Sequence, residues 1–457
     1  MKARAVRLAP ALLLLLLTIP VLAQGPQPPS KADEILRQET YATPPPELAD
    51  AVLAPRYKNV TLSNLSPDKQ WFLDEIGDGP VPMKTFSKPF HELGGVFIDF
   101  KANRARSLTI RNNAGVQFIS AADGTRRQVQ VPPGARVSNA TWAPDSRSFA
   151  YFAHTDDATH IYVSDVVTGQ SRQVTKTPVL ATLVSSFEFT ADGKSITAVL
   201  VPEGRAAMPA APTSPSGPTV KIADDPDKNR LRTFASLMSS PHEKALLEWH
   251  ATGQVAIIDL ATRVVRKVGQ PAMVRSIDAS PDGKYVRVTR MVKPFSYDVP
   301  VSNFGTIEEV WDTADGRTLV ELNARPIDLG VQDDTPGPDP APGTDGRGGQ
   351  QTGKRELSWR RDNQGLTFLE QDVPPPGEGR GRGRADDDDA PQPRGGRSAQ
   401  APRADRVYQW APPFTDETKK VLYENNTRMT GHRYSPDMQV LFFSERQGGA
   451  AGARSGR

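Results

Sequence analysis

A turn built on Pro-Asp keeps returning along this chain, and each copy is followed by a short, largely apolar run. The copies are Ser66-Pro67-Asp68-Lys69, Ala143-Pro144-Asp145-Ser146, Ser280-Pro281-Asp282-Gly283 and Ser435-Pro436-Asp437-Met438, with a degenerate one at Thr190-Ala191-Asp192-Gly193. Proline presets φ at the first turn position, while Asp and Gly satisfy or tolerate the rest. Runs rich in β-branched and aromatic residues follow at 71–73, 149–152, 196–200, 285–288 and 440–443. A repeated strand-turn-strand unit predicts a radial or stacked β architecture.

A second unit lies between these turns: an apolar strand that often reaches Asp, a turn, then a strand of alternating character. Its copies start at Phe118, Ile161, Ile257 and Val310, with a looser one at Val407. They read as outer hairpins, so the Pro-Asp turn joins inner strands and the Asp/Gly turn joins outer ones. Asp145 to Asp192 spans 47 residues, one blade length. The fold class expected is all-β: a β-propeller of four-stranded blades, incomplete at about six or seven blades, with a small helical insertion and disordered loops.

The rest of the chain is organised around that core. Residues 1–23 read as a secretory signal peptide: Lys2, Arg4 and Arg7 precede an apolar core, and Val21-Leu22-Ala23 gives a small-residue cleavage site. Residues 24–56 read as an extended arm and 57–446 as the propeller. A helical insertion is expected at 229–252, where Ser240 can cap, Pro241 suits the first turn, Glu243 completes a capping box, and Leu246, Leu247 and Trp249 supply a buried side. Segments 203–228, 333–353 and 374–406 lack apolar residues to bury and are expected to be disordered, as is the tail 447–457. The protein is thus expected to be exported, periplasmic or secreted, and off the membrane once the leader is removed.

Composition narrows the chemistry. There is no cysteine, which removes disulfides and thiol catalysis, and a net charge of +3 gives no reason to expect a nucleic-acid partner. No Gly-x-Ser-x-Gly nucleophile turn occurs, and Ser455 sits in the glycine-rich tail. None of His91, His154, His160, His242, His250 and His432 falls in a metal-binding motif, and His242 and His250 are too far apart on one helix to share an ion. Asp386 to Asp389 and Arg380 to Arg384 read as solvated loop charge. Glu243 and Glu248 have the chemistry to hold a peptide amino terminus, but a cap role for the first and an exposed face for the second explain them better. The sequence therefore assigns no catalytic, cofactor-binding or metal-ligating residue and calls for no cofactor.

Several segments carry a family resemblance. They are Pro44-Pro-Pro-Glu-Leu-Ala-Asp, Leu93-Gly-Gly-Val-Phe-Ile-Asp, Arg232-Thr-Phe-Ala-Ser-Leu-Met with Leu246-Leu-Glu-Trp-His-Ala-Thr, and Lys293-Pro-Phe-Ser-Tyr. The chain resembles the propeller part of the prolyl-oligopeptidase superfamily (S9 serine peptidases), within it the glutamyl endopeptidase-like branch. That resemblance implies a propeller that filters peptide substrates for an α/β-hydrolase domain carrying Ser, Asp and His. The hydrolase positions do not exist in this chain, so no catalytic residue transfers. The expectation is a non-catalytic gating part of an exported peptidase, truncated or fragmentary. The competing readings are a standalone exported propeller that binds protein or peptide partners, and an enzyme of unrecognised mechanism.

An open ring leaves a sheet edge unpaired, so the isolated chain is expected to aggregate or to require a partner. Size-exclusion chromatography and calorimetry check this; a monodisperse, cooperatively melting monomer is the contrary outcome.

Overall fold

Backbone hydrogen bonds sort the strands between residues 62 and 445 into antiparallel blades. The computed structural model describes residues 44–53, 62–213, 234–329, 353–372 and 403–445. Blade one comprises Trp71–Gly77, Asn113–Ser120 and Arg126–Gln128, with Leu65 bridging Phe72 as a remnant inner strand. Blade two is Arg136–Trp142, Ser148–His154, Thr159–Asp165 and Ser171–Gln173. Blade three is Glu188–Phe189, Ser195–Leu200, Thr252–Asp259 and Val265–Lys267. Blade four is Ala272–Ala279, Tyr285–Met291, Thr306–Asp312 and Thr318–Arg325. Blade five is Arg355–Trp359, Leu366–Gln371, Asp405–Trp410 and Lys419–Asn425, and Met429–Tyr434 pairs with Leu441–Glu445 in a sixth sheet. These are blades of a β-propeller. Among the described residues no strand joins the sixth sheet back to blade one. The separate unit Met1–Ala54 contributes one described helix, Pro46–Leu53.

Each inner turn has the same construction. The Asp carboxylate accepts the backbone N–H two residues on: Gln70 on Asp68 at 3.1 Å, Arg147 on Asp145 at 2.9 Å, Lys194 on Asp192 at 3.0 Å. The later turns repeat it, Lys284 on Asp282 at 3.2 Å and Gln439 on Asp437 at 3.2 Å. The residue after the Asp is left-handed in every copy: Lys69, Ser146, Gly193, Gly283 and Met438 have φ of 60–68°. The structure adds a copy that the Pro-Asp pattern missed. In Arg360-Arg361-Asp362-Asn363, Gln364 N–H donates to Asp362 at 3.1 Å and Asn363 has φ of 60°. Proline is therefore dispensable, whereas the Asp and a left-handed residue after it are not.

The turns touch their neighbours around one face. Asp68 N–H donates to the Ser146 hydroxyl at 3.0 Å, linking blades one and two. Ala191 N–H donates to the Pro281 carbonyl at 2.7 Å, linking three and four. The Arg360 guanidinium lies 4.8 Å from the Tyr434 ring centre, linking five to the sixth sheet.

Apolar layers fill the space between blades, and strand periodicity assigns each side chain to one of them. Along Ser148–His154, Phe149 and Tyr151 join Leu73, Phe118 and Trp142 toward blade one, while Ala150 and Phe152 join Ile196 and Ile258 toward blade three. Burial on both faces is why these strands read as near-continuous apolar runs. Val199, Ile257, Ile277 and Val288 fill the next seam, and Val310, Phe368, Trp410 and Phe414 the one after. The third strand of blade three also pairs with the first of blade four, Thr252 with Met273 and Gly253 with Ala272. A Cβ on Gly253 would lie 2.4 Å from Val199 Cγ1, so this seam requires glycine.

The insertions need adjustment. Helix Pro241–Ala251 forms where the sequence placed a helix, but Trp249 is only half-buried and His250 takes the buried position. Arg205 and Ala206, within a segment expected to be disordered, contact that helix: Trp249 Nε1–H donates to the Ala206 carbonyl at 2.8 Å. Asp405 and Arg406, also read as disordered, begin a strand, because buried Asp405 takes both oxygens to Arg355 at 2.6 and 2.7 Å. The remainder of the segments 203–228, 333–353 and 374–406, apart from 203–213, Gly353, Arg403 and Ala404, lies outside the described residues, as do the leader and tail.

Left-handed non-glycine residues cost about 1 kcal/mol each. Lys69→Gly and Met438→Gly should each raise stability by roughly 0.5–1 kcal/mol, whereas Asp282→Ala should lower it by about 1–2 kcal/mol. Urea denaturation of the purified chain checks both signs.

Candidate functional site

Antiparallel connectivity separates the two faces chemically. Connections after the first and third strands of a blade emerge on one face, and those after the second and fourth on the other. The tight Asp turns occupy the first face. The second receives the long connections: residues 78–112 from blade one, 201–251 from blade three and 292–305 from blade four. Blade one's connection folds into a small sheet of His91–Leu93, Val96–Asp99 and Arg104–Ala105.

These three connections share one core, and this inserted layer is the candidate site. Leu93 and Ile98 of the small sheet, Leu246 and Leu247 of the helix, and Val299, Val301 and Phe304 of blade four's loop are all buried together. Polar contacts pin their ends. Val301 N–H donates to the Gly94 carbonyl at 2.9 Å, and Gly95 N–H to the Ser236 hydroxyl at 2.9 Å. Gly94 has φ of 54° and a Cβ there would meet Val301 Cγ2 at 3.2 Å, which accounts for the Gly-Gly pair. Lys244 donates to the Phe295 carbonyl at 2.7 Å and lies over the Tyr297 ring at 3.4 Å. The Arg205 guanidinium stacks on Trp249 at 3.2 Å and donates to Asn103 Oδ1 at 2.8 Å. Thus Arg205 joins blade three's helix to blade one's insertion.

The helix start follows its sequence signature with one change. The Ser240 hydroxyl accepts from Glu243 N–H at 3.2 Å, but the Glu243 carboxylate reaches back to Ser239, accepting from its N–H at 2.5 Å and its hydroxyl at 2.9 Å. Glu248 pairs with Lys293 at 2.8 Å. Both carboxylates weighed as peptide ligands are therefore already engaged.

The histidines take three kinds of place. His154 is buried between two hydroxyls, Ser138 at 2.8 Å and Thr159 at 2.9 Å. Burial, with Arg104 and Arg111 nearby, pulls it down to about 3. This is a neutral, packed imidazole: Ser138 is itself buried and no carboxylate orients the ring. His160 and His432 contact Thr175 and Thr367. The structure brings His91 and His250 together, with Nδ1 of one 3.1 Å from Nε2 of the other. No sequence motif connects them. Among the described residues no group of three or more His, Asp or Glu is placed to hold a metal ion, and no helix is long and apolar enough to cross a membrane. The segments Arg380 to Arg384 and Asp386 to Asp389, like Ser455, lie outside the described residues.

The inner strands carry a second polar system. Their ladders are interrupted at matching levels, between Ser138 and Thr141, Val274 and Ser276, and Arg355 and Ser358. Asn139 and Glu356 adopt positive φ at these bulges. Across the seam between blades three and four, Glu188 accepts from Ala279 N–H at 2.6 Å, beside an Asp278–Arg287 pair at 2.6 Å. Burial pushes Glu188 up to about 7, and the negative charge of Asp278 adds to it.

No family model matches the chain. It is 26% identical over 416 residues to a probable chloroplastic glutamyl endopeptidase of Oryza sativa subsp. japonica, covering 88% of this chain and 40% of that protein. The chain is similar to glutamyl endopeptidases. A protein of the same name in Arabidopsis thaliana is 27% identical over 423 residues, covering 90% and 40%. The chain thus spans about 40% of the length of the curated relatives it matches. Among solved structures, acylaminoacyl peptidase of Pyrococcus horikoshii aligns with 82% of this chain and 41% of its own at 11% identity, with a TM-score of 0.36.

Glu188 gives a pH test of the inner-strand geometry. Below the ordinary glutamate value of 4.5 both folded and unfolded chains are protonated there. As pH rises from 4.5 toward 7 the unfolded chain ionises first, so Glu188 costs stability progressively, by roughly 3 kcal/mol at most. Glu188→Gln keeps an acceptor for Ala279 and should be more stable than wild type at pH 8 and equal to it at pH 4, read from denaturant midpoints.

Proposed function

We propose that this chain is the non-catalytic propeller portion of an exported S9-type serine peptidase, where it filters substrates by size for an α/β-hydrolase partner. The observation that carries this reading is the similarity to glutamyl endopeptidases, which runs through nearly all of this chain yet accounts for less than half of theirs. The sequence supports the division of labour, since it contains no nucleophile turn of the hydrolase kind.

The blades and their apolar seams support this reading on physical grounds. A ring of blades held by apolar seams admits extended peptides and excludes folded domains. The inner strands run from the inserted face to the turn face, and the strand Leu441–Glu445 runs back, so the chain passes residues 62 and 445 on the inserted side. We place the hydrolase there, against the inserted layer. Peptides with acidic residues at the cleaved bond are the substrate class, taken from the name of the relatives. Export rests on the leader-like residues 1–23.

A fluorophosphonate serine probe tests the assignment. The purified 457-residue chain should remain unlabelled and leave peptides intact. An affinity-tagged copy recovered from its native cells should come with a labelled hydrolase, in the same polypeptide or a companion, that cleaves short peptides and spares folded proteins. Labelling of the isolated chain would overturn the non-catalytic reading. Recovery without any labelled hydrolase would favour a standalone binding propeller.

A further inference from the structure

Within the inserted layer, one polar contact joins two connections that are 159 residues apart. His91 opens the small sheet of blade one, and His250 lies in the last turn of blade three's helix. A hydrogen bond between two imidazoles needs one ring nitrogen protonated and the facing one bare. His250 is fully buried, and its other nitrogen, Nδ1, has no partner. Phe100 stacks on His91 at 4.6 Å and Trp249 stands edge-on to His250 at 4.8 Å, which limits hydration of an added charge.

The neighbouring charges also oppose protonation. Arg205, from the coil over Trp249, acts on His250, and His242, at the helix start, acts on His91. The helix carboxylates are turned to other partners, Glu243 to Ser239 and Glu248 to Lys293. Glu92 alternates to the exposed side of its strand. Beneath the helix end, Thr182 offers a neutral hydroxyl that donates to the His250 carbonyl at 2.7 Å. Burial is the main cause that lowers both imidazoles, His250 to about 3.

We propose that His91 and His250 form an acid-released latch that holds blade one's insertion against blade three's helix. An opened layer returns both rings to water, where their ordinary value is 6.5. The open form therefore takes up protons that the closed form refuses. The latch is intact above pH 6.5 and weakens as pH falls below it, by up to about tenfold per pH unit for each ring. A first proton would keep the hydrogen bond only by placing an imidazolium among aromatic rings and near Arg205; a second removes the acceptor and sets two cations side by side.

Hydrogen–deuterium exchange on the full chain at pH 7.5, 6.5 and 5.5, corrected for intrinsic amide rates, tests this. Peptides covering 91–99 and 241–251 should exchange about tenfold faster or more at pH 5.5 than at 7.5, while Asn113–Ser120 in blade one, which has no titrating side chain, stays constant. His91→Phe retains an aromatic ring against Phe100 and removes one of the two titrating rings, so the rise in exchange of 241–251 between pH 7.5 and 5.5 should shrink by up to about tenfold relative to wild type. A flat wild-type profile overturns the latch, as does full pH dependence in the folded His91→Phe chain. The wild-type titration decides the matter by itself if the variant fails to fold.

Discussion

The blades depend on one small interaction: an aspartate carboxylate accepting the backbone N–H two residues further on. It closes the turn between the innermost strands of each blade and forces the next residue into the left-handed region. Because each turn also touches its neighbour, the interaction fixes more than a hairpin. It sets the spacing of the blades on one face, and the apolar seams of Phe118, Phe152, Val199 and Phe368 then have a defined gap to fill. Packing supplies most of the energy, but turn geometry decides which strands can meet.

Much of the fold was legible in the sequence because its signals are local. Turn chemistry occupies four residues and strand alternation needs only a few more, so five of the inner turns and the outer hairpins among the described residues could be read directly. The turn at Asp362 escaped because Arg361 stands where proline was sought; an Asp-Asn or Asp-Gly search between apolar runs would have found it. The helix start was equally local. Its buried face was harder: Trp249 looks like core by composition, but it lies half-buried against Arg205 and Ala206, and His250 fills the interior instead.

The inserted layer was not legible, and the reason is distance along the chain. Gly94 and Val301, Arg205 and Asn103, and His91 and His250 meet only because three blades present their long connections on one face. No periodicity encodes which insertion packs on which. The layer's chemistry therefore had to be found in the fold, whereas the lack of a nucleophile turn was visible in the residues. The same asymmetry separates the two faces: one is spent on closing turns, and the other carries the varied inserted surfaces.

The backbone pairing at Gly253 has a mechanical consequence. Other described blade seams rest chiefly on side chains, which can slide or part while each blade stays intact. Blades three and four instead share ladder hydrogen bonds, with Val199 packed too closely for any side chain on Gly253. They must move as one body. Any loosening among the described blades therefore has to occur at another seam, so their breathing is directional.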